Sequence, residues 1–392
     1  MSEQISLGEV VLAIEAGKSF QTGERIARDD ELGVLKVSAV TWSAFRPEEA
    51  KSVVGYEPDE SHRVRREDLL ISRANTKELV GAVVLVGKDY PHRLLSDKTL
   101  RLVVDTDRAD KSYLLYALRS TAARKHIERF ATGTSDSMRN IAQGVITSIP
   151  ITLPHIDEQR RTASHLKAQF GAIEDARRSA KAHIDESTNL ANAIVRASLA
   201  EHEAETHLLG EVLEEVKRGI GSHWADYPVL GATRAGLALA REPVGKKPER
   251  YKPVARGTVF YNPMRILIGS IAMVDDDDAP GITSPDYVVL RGREGVIDSR
   301  WFYYWLRSQG GERCIASLAR GAVRERMLFN RLAEGKISLP PIAVQRKASK
   351  ALATIRPMKS KLEAQLRDIE LLPSRLLAQA FDKLNLQAAE HG

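Results

Sequence analysis

Two short motifs contain residue types that could support nucleotide or metal chemistry. Gly17-Lys18-Ser19 resembles the end of a phosphate-binding loop, but that loop needs a glycine five positions before Gly17, and position 12 is leucine. The run Asp275–Asp278 could offer oxygen ligands to a metal ion, yet four consecutive carboxylates cannot all face one ion. Because a predicted strand precedes this run and Ala-Pro-Gly follows it, we expect an acidic loop there.

A third motif, Tyr261-Asn262-Pro263-Met264, resembles the Asn-Pro-Pro-aromatic tetrad of amino-methyltransferases. It lacks the second proline and the final aromatic residue, and no glycine-rich cofactor loop precedes it, so a buried strand end followed by a turn is favoured. The ten histidines show no metal-ligand spacing, and the single cysteine, Cys314, excludes zinc sites built from cysteine pairs. The sequence therefore predicts neither a catalytic nor a metal site, although a Ser-His-Asp assembly stays open.

The elements around these motifs occur twice. Ile151-Thr-Leu-Pro-His-Ile-Asp-Glu-Gln-Arg160 recurs as Ile337-Ser-Leu-Pro-Pro-Ile-Ala-Val-Gln-Arg346, 186 positions later. Leu118-Arg-Ser120 recurs as Leu306-Arg-Ser308 at a spacing of 188. A repeat of this length is too long for a solenoid unit and indicates a duplicated module of domain plus helix.

Each module begins with a globule of short strands and ends in helix. Residues 1–150 and 204–337 contain β-type runs such as Leu35–Val40 and Ile266–Ile271, followed by helical stretches at Lys111–Phe130 and Ser299–Ala319. Residues 151–203 and 338–392 have a helical pattern. We therefore expect an α+β fold, in which two mixed α/β domains are separated by two long helices packed as an antiparallel coiled coil with pseudo-two-fold symmetry.

Apolar residues at helical spacing predict how the two long helices pack. In the second helical region they fall every seven residues, a pattern that requires a helical partner. The alternative is two independent amphipathic surface helices, and Pro357 and Pro373 are expected to kink or interrupt the second helix. The predicted packing residues are Leu166, Ile173 and Ile194 in the first helix and Ile355, Leu362, Ile369 and Leu376 in the second.

Composition limits the class of protein. A chain of 392 residues is expected to form two or more domains, and a formal net charge of +6 suits an anionic partner. One cysteine allows no intrachain disulfide, which fits a reducing cytoplasm. The first residues lack the basic start and apolar core of a signal peptide, and no apolar run is long enough to span a bilayer.

The duplicated pattern resembles the DNA-specificity subunit of bacterial Type I restriction-modification enzymes. The resemblance covers essentially the whole chain, and the paired Leu-Pro-x-Ile-x-x-Gln-Arg motifs are its most specific part. The chain departs from this pattern where Ala343-Val344 replaces the first copy's Asp157-Glu158, and at the two prolines of the second helix.

The resemblance implies a DNA-binding subunit of a cytoplasmic defence system against foreign DNA, without catalysis or a cofactor of its own. Each globule would be a target-recognition domain that reads one half of a bipartite, asymmetric site in double-stranded DNA. The helices would set the spacer and dock two methyltransferase subunits, which methylate adenine at N6 with S-adenosylmethionine. Motor-nuclease subunits would join for restriction. Two alternatives are kept: a duplicated protein-binding scaffold, and a solitary DNA-modifying enzyme with an unrecognised site.

Candidate DNA contacts are loop residues in which basic, polar and aromatic types mix. Arginine can pair bidentately with guanine, and lysine and arginine bind phosphate. An exposed loop residue without a role is the alternative for each, and Trp42 and Trp224 could instead belong to a small core. The candidates are Lys18, Ser19, Arg25, Trp42, Arg46 and Arg73 in the first globule, and Ser222, His223, Trp224, Arg234, Lys246, Lys247 and Arg250 in the second.

Overall fold

The computed structural model describes residues 3–55, 59–200, 204–240, 243–319 and 326–389. The chain divides into two compact units, of which the first comprises residues 1–178 and 367–392 and the second residues 179–366. Each unit therefore contains one globule together with parts of both long helical regions. No helix among the described residues combines the length and apolar character needed to cross a membrane.

The first unit is built on a four-stranded antiparallel sheet in the order β2-β11-β7-β9. A five-stranded sheet, β3-β5-β4-β10-β6, lies in the same unit. The strands of the whole unit are β1 (Glu3–Ser6), β2 (Val11–Ala16), β3 (Thr22–Ile26), β4 (Gly33–Leu35), β5 (Ala50–Val53), β6 (Arg63–Val64), β7 (Leu69–Ser72), β8 (Ala74–Asn75), β9 (Val83–Leu85), β10 (Tyr90–Leu94), β11 (Thr99–Val104), β12 (Thr132–Ser135), β13 (Met138–Asn140) and β14 (Pro150–Leu153). Its helices are α1 (Lys111–Ala117), α2 (Thr121–Phe130), α3 (Gln143–Thr147) and the first part of α4 (Ile156–Ala200).

The second unit repeats the four-stranded sheet as β16-β23-β20-β21. Its strands are β15 (Glu205–Leu208), β16 (Leu213–Glu215), β17 (Leu230–Thr233), β18 (Gly236–Leu239), β19 (Lys252–Val254), β20 (Val259–Tyr261), β21 (Ile271–Met273), β22 (Gly281–Thr283), β23 (Val288–Gly292) and β24 (Lys336–Leu339). Its helices are α5 (Leu209–Val212), α6 (Ser299–Leu306), α7 (Gln309–Leu318), α8 (Phe329–Leu332), α9 (Ile342–Leu352) and the first part of α10 (Ile355–Ala389).

Each central sheet is covered by apolar side chains on both faces. Neighbouring residues of a strand point to opposite faces, so Leu69 and Ile71 join one core of the first unit while Leu70 joins another. In the second unit, Tyr261 and Phe260 divide between two cores in the same way. Each unit therefore has two cores, one on each face of its central sheet, and this arrangement confirms the predicted α+β class.

Two predicted strands are wrong. Within Leu35–Val40, β4 ends at Leu35 and Val37–Ala39 forms a 3-10 helix. Within Ile266–Ile271, residues Ile266–Ile268 form a 3-10 helix that Gly269 ends at a φ of 82°. A short apolar run does not distinguish a strand from a buried turn. In the second case only Gly269 indicates that the chain turns there.

The first long helix is continuous, and the second is divided. The helix α4 spans 45 residues, whereas Ala353 and Thr354 separate α9 from α10. Pro357 lies in the first turn of α10, where backbone N–H groups have no partner within the helix, so its missing donor costs little. Pro373 lies inside α10. The second helical region is therefore interrupted at Ala353 and Thr354, and α10 continues through Pro357 and Pro373, where the sequence predicted a kink or an interruption.

The helical segments contribute to the core of each unit. In the first unit, Leu166 near the start of α4 shares a core with Leu377 and Phe381 near the end of α10. In the second unit, Ile194 near the end of α4 packs against a core that contains Ile355 of α10. The helical regions therefore run antiparallel, as predicted. Of the predicted packing residues, the buried ones are Leu166, Ile173, Ile355 and Ile369, and the half-buried ones are Ile194, Leu362 and Leu376.

The repeated glutamine joins the long helix of each module to its globule. The buried Gln159 amide accepts a hydrogen bond from the Asp110 N–H at 2.8 Å and donates to the carbonyls of Arg108 and Pro154 at 3.0 and 2.8 Å. The Asp110 carboxylate in turn accepts from the Tyr113 N–H at 2.9 Å and caps α1. One amide thus fixes the entry of α4 and the start of α1.

The second copy repeats this arrangement. Gln345 accepts from the Asp298 N–H at 2.9 Å and donates to the carbonyls of Val296 and Pro340 at 3.1 and 2.8 Å. Asp298 caps α6 through the Trp301 N–H at 3.0 Å. The Gln-Arg motif is therefore a structural signature of the duplicated module.

Candidate nucleic-acid interface

Three candidates in the first unit lie around the turn between β10 and β11. Lys18 forms a bridge to Ser96, and the Arg73 N–H donates to the carbonyl of Lys98 at 2.9 Å. The side chains of Lys18, Ser19, Arg73 and Lys98 are exposed. The fold thus brings together cations that are far apart in sequence. Lys98 was not among the predicted contacts, because only the strand pairing places it beside Arg73.

Two other candidates of the first unit are engaged within the protein. Arg25 forms two hydrogen bonds to the Glu31 carboxylate, at 2.6 and 2.7 Å, and this pairing lowers the pKa of Glu31 to about 2. The indole N–H of Trp42 donates to the carbonyl of Glu78 at 2.7 Å, and the Arg124 guanidinium lies 5.3 Å from its ring. Trp42 also packs against a core, so the core interpretation of this residue fits better. Arg46 is exposed in the turn before β5.

Six candidates of the second unit form one loop cluster. The 3-10 helices Gly221–Asp226 and Pro248–Arg250 contact each other, and the Ile220 N–H donates to the Tyr251 carbonyl at 2.7 Å. Gly219 packs so closely that an added Cβ would lie 2.5 Å from the Glu249 carbonyl oxygen. This close contact brings together two segments that are distant from each other in the sequence. The candidates in this cluster are Ser222, His223, Trp224, Lys246, Lys247 and Arg250.

The cluster presents exposed positive charge. Lys246, Lys247 and Arg250 are exposed, and no ion pair involves them within the described ranges. His223 lies 3.4 Å from the Asp226 carboxylate, and Trp224 is half-buried. Arg218, which directly precedes this cluster, is a further exposed cation that was not among the predicted contacts. The Lys-Arg pair directly before Gly219 could have indicated it.

Arg234 lies outside the loop cluster. It occupies the turn of the β17–β18 hairpin, and its carbonyl accepts a hydrogen bond from the Arg307 guanidinium at 2.6 Å. Its side chain lines a groove that also contains Leu267 and Ile268. The structure therefore places this candidate apart from the other predicted contacts of the second unit.

The three motifs considered for catalysis have structural roles. Gly17 packs against the backbone of Leu95, where an added Cβ would lie 2.0 Å from the carbonyl oxygen. The next residue, Lys18, forms an isolated β-bridge with Ser96. The Asn262 side chain accepts from the Met264 N–H at 3.0 Å and closes the expected turn after β20. Across the described part of the chain, no group of three or more His, Cys, Asp or Glu side chains could hold a metal ion.

The acidic loop Asp275–Asp278 is held by arginines. Asp275 forms a bidentate pair with Arg300 of α6, and Asp278 pairs with Arg356 of α10. Arg256 donates to Asp276 at 2.6 Å. The loop therefore ties the globule of the second unit to α6 and α10, and the carboxylates of Asp275, Asp276 and Asp278 are paired with guanidinium groups.

Comparisons with known proteins agree with the predicted resemblance. No family model matches the chain. The specificity subunit of the EcoEI Type I restriction enzyme of Escherichia coli is 28% identical over 199 residues, which are 50% of this chain and 34% of that protein. The MjaVIII specificity subunit of Methanocaldococcus jannaschii is 28% identical over 185 residues, which are 45% of this chain and 41% of that protein. The chain thus spans less than half the length of these two relatives.

Solved structures show the same fold over nearly the whole chain. A chain from a study of the assembly and conformational transition of a type I restriction-modification system has a TM-score of 0.65 at 16% identity, with 97% of both chains covered. The S subunit of a Type I system from M. genitalium has a TM-score of 0.54 at 15% identity, with 97% of this chain and 96% of that chain covered. The resemblance to specificity subunits and the fold expected from it are both confirmed.

Proposed function

We propose that this chain is the DNA-specificity subunit of a Type I restriction-modification system. Each unit reads one half of a bipartite, asymmetric DNA site, and the antiparallel helices set the spacer and dock two adenine-N6 methyltransferase subunits. Motor-nuclease subunits join the complex for restriction. The observation that carries the proposal is the duplication. The two units have equivalent central sheets, but the loops that they present differ in sequence. The similarity to specificity subunits supports this assignment.

DNA affinity on this proposal comes chiefly from exposed cations in the loops. Lys246, Lys247 and Arg250 in the second unit, and the cations around the β10–β11 turn in the first, suit phosphate contacts. Ser222, His223 and Trp224 lie beside the first of these groups and suit base or sugar contacts. Arg25 and Trp42 are weaker candidates, because binding DNA would require each to leave an internal partner.

Replacing Lys246, Lys247 and Arg250 with alanine should weaken DNA binding by the assembled complex and reduce its salt dependence. Each lost phosphate contact lowers the slope of log K against log salt by roughly 0.9, so three contacts correspond to about 2.7. Fluorescence anisotropy with the methylated target duplex, over a series of salt concentrations, measures this slope. The matched control replaces Arg265, Arg291 and Arg293, three exposed arginines of the same unit outside the cluster. An unchanged slope in the cluster variant would favour the protein-binding scaffold.

The purified chain alone should neither methylate nor cut DNA, nor hydrolyse ATP. S-adenosylmethionine is expected on the methyltransferase subunit. Transfer of a labelled methyl group from S-adenosylmethionine to DNA, assayed with and without that subunit, tests this expectation. Turnover by the lone chain would support the solitary modifying enzyme instead.

A further inference from the structure

Tyr251 is a buried residue at the base of an exposed segment of the second unit. The segment consists of residues 243–247 and contains two adjacent lysines, so it is called the basic segment below. Tyr251 directly precedes β19 and is 8% exposed. The Ile220 N–H donates to its carbonyl at 2.7 Å, and its own N–H donates to the Pro248 carbonyl at 3.0 Å. The backbone of Tyr251 is therefore held from both segments of the loop cluster.

The residue after Tyr251 fixes this position relative to the central sheet. Lys252 begins β19 and pairs with Thr283 of β22. Its half-buried amine donates to the carbonyl of Tyr287 at 2.7 Å, and Tyr287 directly precedes β23, an inner strand of the central sheet. Tyr251 thus stands at a place that the core of the unit determines.

The side chain of Tyr251 holds the basic segment. Its hydroxyl accepts a hydrogen bond from the Gly245 N–H at 3.0 Å. A Cβ added at Gly245 would lie 3.5 Å from this oxygen, so the segment packs directly on the phenol. Among the described residues, the basic segment makes one other hydrogen bond, in which the Lys247 carbonyl accepts from the Arg250 N–H at 3.2 Å. The bond to Gly245 is therefore the attachment that precedes both lysines.

This attachment limits the freedom of a segment that would otherwise be mobile. Glycine has no Cβ and samples more backbone conformations than any other residue, and the two lysines that follow are exposed. Ordering such a segment only when a ligand binds costs conformational entropy and lowers affinity. A segment that is already held in the free protein avoids this cost.

We propose that Tyr251 is a positioning residue for DNA binding, whose hydroxyl holds Lys246 and Lys247 ready to contact the phosphates of duplex DNA. The inference rests on the proposed function, which assigns these lysines to phosphate. Tyr251 is itself buried and acts through them. Because phosphate contacts fix the register of a protein on the duplex, a preordered segment also steadies the base-reading loops beside it.

The test removes the hydroxyl and keeps the ring. Tyr251→Phe should raise the dissociation constant of the assembled complex for its target duplex about three- to tenfold, the range expected for the loss of one hydrogen bond. Tyr261→Phe is the matched control, since Tyr261 is a fully buried tyrosine of the same unit whose hydroxyl has no hydrogen-bond partner among the described residues. It should bind DNA as the wild type does. Fluorescence anisotropy at one fixed salt concentration measures both.

A double-mutant cycle separates positioning from a general effect on stability. In a chain that already carries Lys246→Ala and Lys247→Ala, Tyr251→Phe should cause no further change, because no charge is left for the hydroxyl to position. An equal loss of affinity in both backgrounds would overturn the inference, since Tyr251 would then act on the stability of the unit as a whole.

Two other results would also contradict the positioning role. Wild-type affinity of Tyr251→Phe would show that the hydrogen bond does not matter for binding, and wild-type affinity of the double lysine variant would show that the basic segment does not touch DNA. Either result leaves the specificity-subunit proposal intact if the complex still methylates a defined bipartite site. A wild-type complex that neither binds nor methylates such a site would overturn both.

Discussion

Replacing Gln345 with leucine should destabilise the second unit by about 3 kcal/mol or more. The change removes three hydrogen bonds and leaves the N–H of Asp298 and the carbonyls of Val296 and Pro340 without their partner. An unsatisfied buried polar group costs about 1–3 kcal/mol, so three partly buried groups account for this effect. Urea unfolding followed by tryptophan fluorescence measures it, because the Trp301 N–H donates to the carboxylate of Asp298, the helix cap that Gln345 holds in place.

The neighbouring arginine offers a matched control. Arg346 is exposed, and Arg346→Leu should change the free energy of unfolding by less than about 0.5 kcal/mol. Gln159→Leu should reproduce the effect in the first unit, since its three hydrogen bonds are equivalent. A Gln345→Leu variant as stable as Arg346→Leu would show that the amide is replaceable and that the repeated motif has another role.

The architecture was predictable because the repeated residues are the ones that hold the fold together. Leu7 and Leu209, which begin a Leu-Gly-Glu-Val segment present in both modules, are fully buried. Gln159 and Gln345 are buried at the entry of each long helical region. Residues with many fixed neighbours tolerate little change, so the two copies still match there after their surfaces have diverged. The short strands were less predictable, as Ile266–Ile268 illustrates: an apolar triplet fits a strand and a 3-10 turn equally well.

The helical regions show where a sequence period stops being informative. The seven-residue spacing predicted Leu376 as a packing residue, but Leu377 is the more buried of the two. Leu377 shares its core with Tyr113 of the globule as well as with Leu166 of α4. A helix that packs against a globule and another helix at once needs a wider apolar face than a two-helix seam, so a strict heptad describes only part of its contacts.

The candidate interface was predictable only in part, because residue type reveals charge but not partners. Arg25 looked like a free cation, yet Glu31, six residues away, binds it bidentately. Lys246 and His223 lie in one loop cluster only because two 3-10 helices meet, which no local pattern indicates. Long-range pairing of short elements decides which loops share a surface.

Exchanging residues 204–337 for the corresponding segment of a relative should change one half of the DNA sequence that the complex methylates. The central sheet and its two cores lie within the second unit, so the exchange replaces one set of loops and leaves the first unit as it was. Exchanging residues 1–150 should change only the other half. Sequencing that detects N6-methyladenine in cells carrying each variant measures both halves at once.

The helical contacts determine how such an exchange must be made. Ala191, Val195, Leu352 and Ile355 lie outside residues 204–337 but belong to the core of the second unit. A wider exchange of residues 179–366 transfers these contacts with the globule, and it should give the same new half-site with a more stable protein. Insertion of four residues into α4, about one helical turn or 6 Å at 1.5 Å per residue, should alter the spacer and leave both half-sites unchanged. If either exchange altered both halves or neither, the units would not read DNA independently, and the scaffold interpretation would be favoured.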